Sequence, residues 1–300
     1  MSPRAKDRWT GALIDTHAHI WRIDRAHQSW RPPPAIDRSF GVSDIVAAGQ
    51  ARGLAGIVLV ESGVTDEDNA WLAREAAAHA SVLAFIAFAD PLATDLARSL
   101  DWIKSLPKAR GVRFRLEGRD PAVVLDPRFG RALLAASERG LLVELLVQPV
   151  HLPQVALALE GTGVAAVIDH MAKPPLLGWP SAKERAAWEA GMAQIAALPM
   201  TTCKLSISPR ATEMDSWADS SAVRVGRVHL REMTTFLVDR FGPARCVWGS
   251  DWPIASLTGS YDEVLNRSQD ALPDLPIAEA RQIFGETAQR VYGDLGREAQ

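Results

Sequence analysis

The feature that most constrains this chain is an alternation of two kinds of segment, repeated along its 300 residues. Apolar runs rich in β-branched residues fall at 13–16, 56–60, 82–88, 111–114, 141–147, 164–168, 201–205 and 246–248. Runs this continuously apolar suit parallel strands covered on both faces. Between them lie helical stretches with legible ends. Ser43 precedes an apolar-spaced stretch that stops before Gly53. Thr65 and Asp68 have capping-box spacing ahead of Trp71, Leu72 and Ala76. Leu92, Leu96, Leu100 and Ile103 recur at helical spacing. Asp126 and Pro127 supply a cap and a first-turn proline for a helix that Gly140 ends. A short helix opens at His151 and runs to about Glu160, and longer ones are expected over 182–198, 223–241 and 277–292. Eight strand-then-helix units predict an α/β protein, a (β/α)8 TIM barrel forming a single domain over 1–300, a fold that typically takes ~250 residues. The alternative is a doubly wound open sheet. No Gly-x-Gly-x-x-Gly follows the first run, and the count of eight favours closure.

Composition narrows the function. The chain is 47% hydrophobic and 23% charged, with a net charge of −3, as in an ordinary soluble protein. Nucleic acid is excluded as the main ligand, because phosphate binding calls for a clustered positive surface. Cys203 and Cys246 are too few for a secreted disulfide scaffold and read as small buried residues within strands. The first residues lack the apolar core of a signal peptide. The most apolar stretch, 140–168, is interrupted by Glu144, Gln148, Pro149, His151, Pro153 and Glu160, so it cannot span a membrane as one helix. These features predict a cytoplasmic protein acting on a small molecule, with nothing in the sequence that sets its oligomeric state.

In a barrel the segments after the strands gather at one face, where ligand sites are built. Four are long: 21–40, 172–182, 206–222 and 253–274. Trp30, Trp179 and Trp217 fall in them and Trp252 immediately precedes the fourth, either packing the loops down or lining a pocket for a ring-shaped substrate. The strongest local signal is Asp15-Thr16-His17-Ala18-His19. Alternate residues of a strand share a face, so His17 and His19 point together into the barrel mouth. Neutral imidazoles held close suit a zinc-like ion or a developing oxyanion. His170 ends the sixth run, and Asp251 follows the eighth, which neighbours the first in a closed barrel. Singly, each reads as a cap, turn or surface residue; together they set three histidines and one aspartate on one rim. Arg113 and Arg115 share a strand face. A guanidinium there can clamp a substrate carboxylate or pair with Glu61 or Glu144 in the wall. Glu61, Gln148, Lys173 and Arg210 are further polar candidates, whereas His27, His79 and His229 read as loop or helix surface.

This order of His-x-His, His and Asp resembles the amidohydrolase superfamily, and in detail its lactonase branch of pyrone-dicarboxylate and sugar-acid lactonases. The matching pieces are Ile14-Asp-Thr-His-Ala-His-Ile-Trp21, Gly111-Val-Arg-Phe114, Ile168-Asp-His-Met-Ala-Lys-Pro174, Lys204-Leu-Ser206, Trp248-Gly-Ser-Asp-Trp-Pro253 and Ile283-Phe-Gly-Glu-Thr-Ala-Gln-Arg-Val-Tyr292. The resemblance implies a hydrolase that opens a lactone of a sugar acid or of an aromatic-degradation intermediate. Asp251 would take a proton from water, with His17, His19 and His170 at the oxyanion. Arg113, Arg115, Gln148, Glu61 and Lys173 would contact the substrate, although Gln148 could equally tie a loop and Lys173 be solvated. Binuclear members of the superfamily bridge two metals with a Lys or Glu and add a histidine on strand five. Here the fourth run ends in Arg113-Phe114-Arg115, the fifth in Gln148-Pro149, and Lys173 and Lys204 sit on the wrong strands. The expectation is at most one divalent ion, held by His17, His19, His170 and Asp251 or a subset of them. Metal-free hydrolysis, known in the pyrone branch, is also open, and no organic cofactor is expected. The rival readings are a zinc-dependent decarboxylase of the same superfamily and a ligand-binding barrel without turnover.

Overall fold

The apolar runs become strands, and each strand is followed by a helix that covers its outer face. The computed structural model describes residues 9, 11–23, 34–207, 220–272 and 275–293, with main chain alone for 220–227. His27, Trp30, Arg210 and Trp217 therefore lie outside the described residues. In chain order the elements are β1 (Leu13–Ala18), α1 (Val42–Gly49), β2 (Leu54–Val60), α2 (Asp66–Ala78), β3 (Val82–Phe88), α3 (Leu96–Ser105), β4 (Ala109–Arg115) and α4 (Pro127–Glu138). There follow β5 (Leu142–Leu146), α5 (Leu152–Thr162), β6 (Ala166–Ile168), α6 (Ala182–Ala196), β7 (Thr201–Leu205), α7 (Ser220–Phe241), β8 (Cys246–Trp248), α8 (Tyr261–Asp270) and α9 (Ile277–Arg281). The strands form one sheet in the order β1 through β8, and every ladder is parallel. This sequential order is that of a (β/α)8 barrel and excludes the doubly wound sheet.

Strand alternation sorts the side chains. Ile57, Leu59, Phe85, Val112, Phe114, Val143, Leu145, Cys203 and Leu205 join the large core between sheet and helices. Val58, Val60, Ala84, Ile86 and Val247 instead pack with Ile14, Ala288 and Tyr292 in a smaller apolar cluster. The charged residues Arg113, Glu144 and Lys204 alternate with outward-facing neighbours on β4, β5 and β7 and bond to one another's partners, so they share the barrel interior with that cluster. After α9 the chain continues as two wide π-type turns, Gln282–Glu286 and Gln289–Gly293, which carry Tyr292 into the interior.

Closure between β1 and β8 is local rather than a regular ladder. Ala18 forms an isolated parallel bridge with Trp252. The Asp251 amide donates to the His17 carbonyl (2.8 Å), the His19 amide to the Trp252 carbonyl (2.7 Å) and the Thr16 hydroxyl to the Trp248 carbonyl (2.7 Å). Gly249 permits this approach, since a Cβ there would lie 2.6 Å from His17 Cβ and 3.0 Å from its amide nitrogen.

Two expectations are corrected. The segment 253–274 is not all loop, for Ser260 caps α8 and forms a capping box with Glu263. Helix α3 starts at Leu96 rather than near Leu92, because Pro91 to Asp95 turn on the Asp90 carboxylate, which accepts from the Leu92 amide at 3.0 Å. Among the described residues no helix is long and apolar enough to cross a membrane.

Gly249→Ala is expected to lose about 1–3 kcal/mol in chemical denaturation, as forced overpacking does. Gly130→Ala, on α4 with nothing within 4 Å of the added methyl, should be neutral or stabilising by up to ~1 kcal/mol. Equal stability of the two variants would mean that the β1–β8 seam is not tightly packed.

Candidate active site

The two ends of the closure seam build the first half of the site. Asp15 is fully buried; its Oδ1 accepts from the amides of His17 (3.1 Å) and Ser250 (2.8 Å), and its Oδ2 from the Tyr261 hydroxyl (3.1 Å). One carboxylate thus fixes the start of both segments. Beyond it, His17 Nε2 and His19 Nε2 lie 3.2 Å apart, and Asp251 Oδ1 is 3.3 Å from His19 Nε2 and 3.9 Å from His17 Nε2. Asp251 holds a left-handed backbone (φ 61°), which costs a non-glycine residue roughly 1–2 kcal/mol. His19 Nδ1 faces the carbonyls of Val60 (3.0 Å) and Glu61 (3.1 Å). Carbonyls only accept, so Nδ1 carries the proton and Nε2 presents a lone pair.

His170 comes from an unusual turn after β6. His170, Met171, Ala172 and Lys173 are all left-handed, with φ of 48°, 56°, 63° and 50°. No glycine eases this, so the surroundings must hold the turn. The indole of Trp188 on α6 donates to the Met171 carbonyl (2.8 Å), and Met171 and Ala172 are buried. His170 Nδ1 pairs with Ser206 Oγ at 2.7 Å, while Nε2 is 3.3 Å from Arg113 Nη2. A guanidinium only donates, so Nε2 accepts and the Nδ1–H points to Ser206.

Beneath the rim lies a layer of buried charge. Arg113 Nε donates to Asp169 Oδ2 (2.7 Å), Nη1 to Glu61 Oε1 (3.3 Å), and Nη2 is 3.5 Å from His17 Nε2. Arg115 binds both oxygens of Glu61, through Nε at 2.6 Å and through Nη2. Lys204 Nζ is 2.8 Å from each Glu144 oxygen, 3.1 Å from His17 Nδ1 and 3.2 Å from Asp169 Oδ1. Tyr292 donates to Glu144 Oε1 at 2.5 Å.

Burial and these charges set the protonation states. Burial, then the Lys204 ammonium, hold His17 well below the ordinary histidine range; burial and His17 do the same to His170. Burial alone would raise Asp251, but its neighbours His170, His19 and Lys173 outweigh it and hold the carboxyl well below the usual range. Asp169 is likewise held low, because Lys204, Arg113 and His17 overcome its burial. Glu144 is pushed up to about 7 by burial, with Lys204 opposing. Near neutral pH the rim therefore presents the neutral imidazoles of His17 and His170 beside an ionised Asp251.

The structure brings His17, His19, Asp251, His170, Arg113, Glu61 and Arg115 together. Of the open alternatives for the arginines, both pair with Glu61. The Gln148 carboxamide oxygen accepts from the Gly118 amide (3.0 Å), so it ties a loop, and Lys173 Nζ lies 3.5 Å from Glu117. Cys203 and Cys246 are buried side by side on β7 and β8. Asp169, Lys204, Ser206 and Tyr292 belong to the same network without having been named as site residues, and Glu144, expected as a wall partner of an arginine, pairs with Lys204; a charged residue interrupting each of the fifth and seventh apolar runs was the available signal.

The ligand set for an ion is smaller than the four residues expected. His17, His19 and Asp251 each offer an atom within 4.8 Å of the others, whereas His170 groups with His17 and Asp169. Ligand bonds of about 2.0–2.1 Å in a tetrahedron separate neighbouring donors by roughly 3.3 Å. The 3.2 and 3.3 Å spacings match this. Asp169 Oδ1 is buried without an aligned hydrogen bond among the described residues and sits 3.5 Å from His17 Nδ1, where a ligating histidine normally meets a carboxylate. The residues fit one divalent ion.

Comparison with known proteins agrees with this geometry. An amidohydrolase family model matches residues 14–293. The chain is 31% identical over 255 residues to an L-fucono-1,5-lactonase of Burkholderia ambifaria, covering 83% of each protein. It is 30% identical over 291 residues to an L-fucono-1,5-lactonase of Burkholderia multivorans, covering 94% of this chain and 96% of that one. An amidohydrolase of Burkholderia multivorans solved with bound zinc superposes with a TM-score of 0.81 at 30% identity, over 94% of this chain and 99% of the other. Structures of a probable 2-pyrone-4,6-dicarboxylic acid hydrolase from Acinetobacter baumannii and a putative one from Pseudomonas putida share the fold at 18% and 21% identity. With His-x-His, His and Asp converging on one barrel rim and a family match over nearly all of its length, the chain belongs to the amidohydrolase family.

Proposed function

We propose that this chain is a single-domain cytoplasmic lactonase, a hydrolase of cyclic esters whose substrate is the lactone of a sugar acid. The observation that carries the reading is Asp251: a buried, ionised carboxylate 3.3 Å from His19 Nε2, on the same rim as the Arg113 guanidinium. The lactone activity of relatives about 30% identical supports the substrate class, and the scarcity of cysteine supports the location.

In this reading Asp251 accepts a proton from water as the oxygen attacks the lactone carbonyl carbon. Negative charge moves to the carbonyl oxygen, where the Arg113 guanidinium, the donor that faces the imidazoles of the rim, is placed to receive it. The ring carbon–oxygen bond then breaks, and Asp251 returns its proton to the leaving alkoxide, giving the open hydroxy acid. A divalent ion held by His17, His19 and Asp251 would polarise the carbonyl as a Lewis acid when bound. Glu61 works through others: it fixes both Arg113 and Arg115 and so sets where the guanidinium faces.

The direct test is a panel of sugar-acid and pyrone lactones followed with a pH indicator, since each turnover releases one carboxylic acid. Asp251→Asn keeps the size of the side chain and removes its basicity. Its kcat should fall by ~10²–10⁴-fold with the denaturation midpoint unchanged. A variant that keeps more than about a tenth of wild-type kcat would remove Asp251 from the role of base.

Arg113→Lys keeps a charge but loses the fork that meets Asp169, Glu61 and the imidazoles together. A lost charge-assisted hydrogen bond corresponds to about 1.5–3 kcal/mol, so kcat should fall roughly ten- to a hundred-fold with little change in KM. A rise in KM at constant kcat would instead make Arg113 a substrate-binding group only.

A further inference from the structure

His17 Nδ1 lies between two competing partners. The Lys204 ammonium, which can only donate, is 3.1 Å away, and the Asp169 carboxylate oxygen Oδ1, which can only accept, is 3.5 Å away. The nearer one is also the more firmly aimed. Lys204 is fully buried, and two of its three protons are taken by Glu144 at 2.8 Å each; the third is aligned on His17 Nδ1 at 3.1 Å, with Asp169 Oδ1 at 3.2 Å out of line. Asp169 Oδ1 makes no aligned hydrogen bond among the described residues.

The remaining contacts extend this order in one direction. With Nδ1 accepting from Lys204, a neutral His17 carries its proton on Nε2. That proton points to His19 Nε2 at 3.2 Å, which is an acceptor because His19 Nδ1–H is spent on the carbonyls of Val60 and Glu61. Every donor from Tyr292 through Glu144, Lys204 and His17 to His19 then meets an acceptor, and Arg113 Nη2, 3.5 Å from His17 Nε2, has its nearer acceptor in His170 Nε2 at 3.3 Å. A cation at the rim requires the opposite arrangement, with the His17 proton on Nδ1 facing Asp169 and a lone pair on Nε2. In that tautomer two donors, Lys204 and Nδ1–H, stand 3.1 Å apart.

We infer that Lys204 is a positioning residue that selects the tautomer of His17. It keeps Nε2 protonated as a hydrogen-bond donor at the barrel mouth and thereby weakens the binding of a divalent cation by His17, His19 and Asp251. Asp169 is the counterweight that accepts the proton when a cation does bind. The inference concerns the site of the proposed hydrolysis, but its readouts do not involve turnover, so either can fail alone.

The experiment uses the full chain labelled with nitrogen-15 at histidine, prepared with chelator and then freed of it. Long-range proton–nitrogen spectra distinguish a protonated from a bare ring nitrogen, and His17→Gln assigns the His17 signals by their disappearance. Wild type should show a bare Nδ1 and a protonated Nε2. Zinc alone is then titrated against a chromophoric chelator for the wild type and for Lys204→Met paired with Glu144→Gln, which leaves no unpaired carboxylate and keeps an acceptor for Tyr292. Removing a partner of a ligand's outer nitrogen typically changes metal affinity 10–100-fold, and here the double variant should bind zinc at least about tenfold more tightly. Its His17 proton should move to Nδ1. A wild-type spectrum with the proton on Nδ1 overturns the inference, and this measurement stands even where the variant does not fold. A folded variant with unchanged zinc affinity overturns it as well.

Discussion

The structure depends on charge buried inside a barrel. Glu61, Glu144 and Asp169 face Arg113, Arg115 and Lys204 in a layer whose members are almost all shielded from water. Such pairs add little net stability, because the cost of desolvation offsets most of the attraction. Losing one member is a different matter. An uncompensated buried charge costs about 3–5 kcal/mol, so each residue of the layer fixes its partners. Arg113 to Asp169 ties β4 to the turn after β6, and Lys204 to Glu144 ties β7 to β5. The layer is thereby a set of position constraints, and the imidazoles above it inherit them.

The turn that carries His170 shows how these constraints are used. Four consecutive left-handed residues without glycine would not persist in an isolated peptide. The turn is held at its start by Asp169, bonded to Arg113, and at its middle by Trp188, bonded to the Met171 carbonyl. Helix α6 thus acts on the site through one indole hydrogen bond. The outcome is a ring whose two nitrogens are both assigned, one by Ser206 and one by Arg113, so His170 has a fixed orientation before any substrate arrives.

Much of this was legible in the sequence, and the reasons differ by residue. His17, His19 and Asp251 were found because strand alternation and the end of an apolar run are local patterns that place a side chain without knowledge of the rest. The barrel followed from the number and order of runs. The interior layer was not legible in the same way. Glu144 and Lys204 each interrupt an apolar run, which signals an inward-facing charge but not its partner, since the partner lies 60 residues away. The left-handed turn was hidden because the usual sign of positive φ, a glycine, is missing from 170–173. Helix α8 was passed over although Ser260 and Glu263 carry the spacing of a capping box, because the polar stretch around them read as loop. Gln148 was ambiguous for a better reason: a side chain at a strand end can face the mouth or the next loop, and only the Gly118 amide decides it.

Polarity inside the barrel changes in steps along its axis, and the steps account for why the charge layer can act on chemistry at all. Ile14, Val58, Val60, Ala84, Ile86 and Val247 make an apolar floor, which Ala288 and Tyr292 complete from the C-terminal turns. The Tyr292 ring belongs to that floor, while its hydroxyl reaches up to Glu144. Water therefore does not screen the charges from below, and an electrostatic interaction there is several times stronger than at the surface. Toward the mouth exposure rises: Arg113 is 4% exposed and Arg115 side-chain exposure is 26%. The same guanidinium chemistry on one strand thus meets two dielectrics, and the deeper arginine is the one that touches the imidazoles. A charge acts most strongly where it is least hydrated, so the floor, completed by C-terminal turns far from His17 in sequence, strengthens the field that the charge layer exerts on the rim.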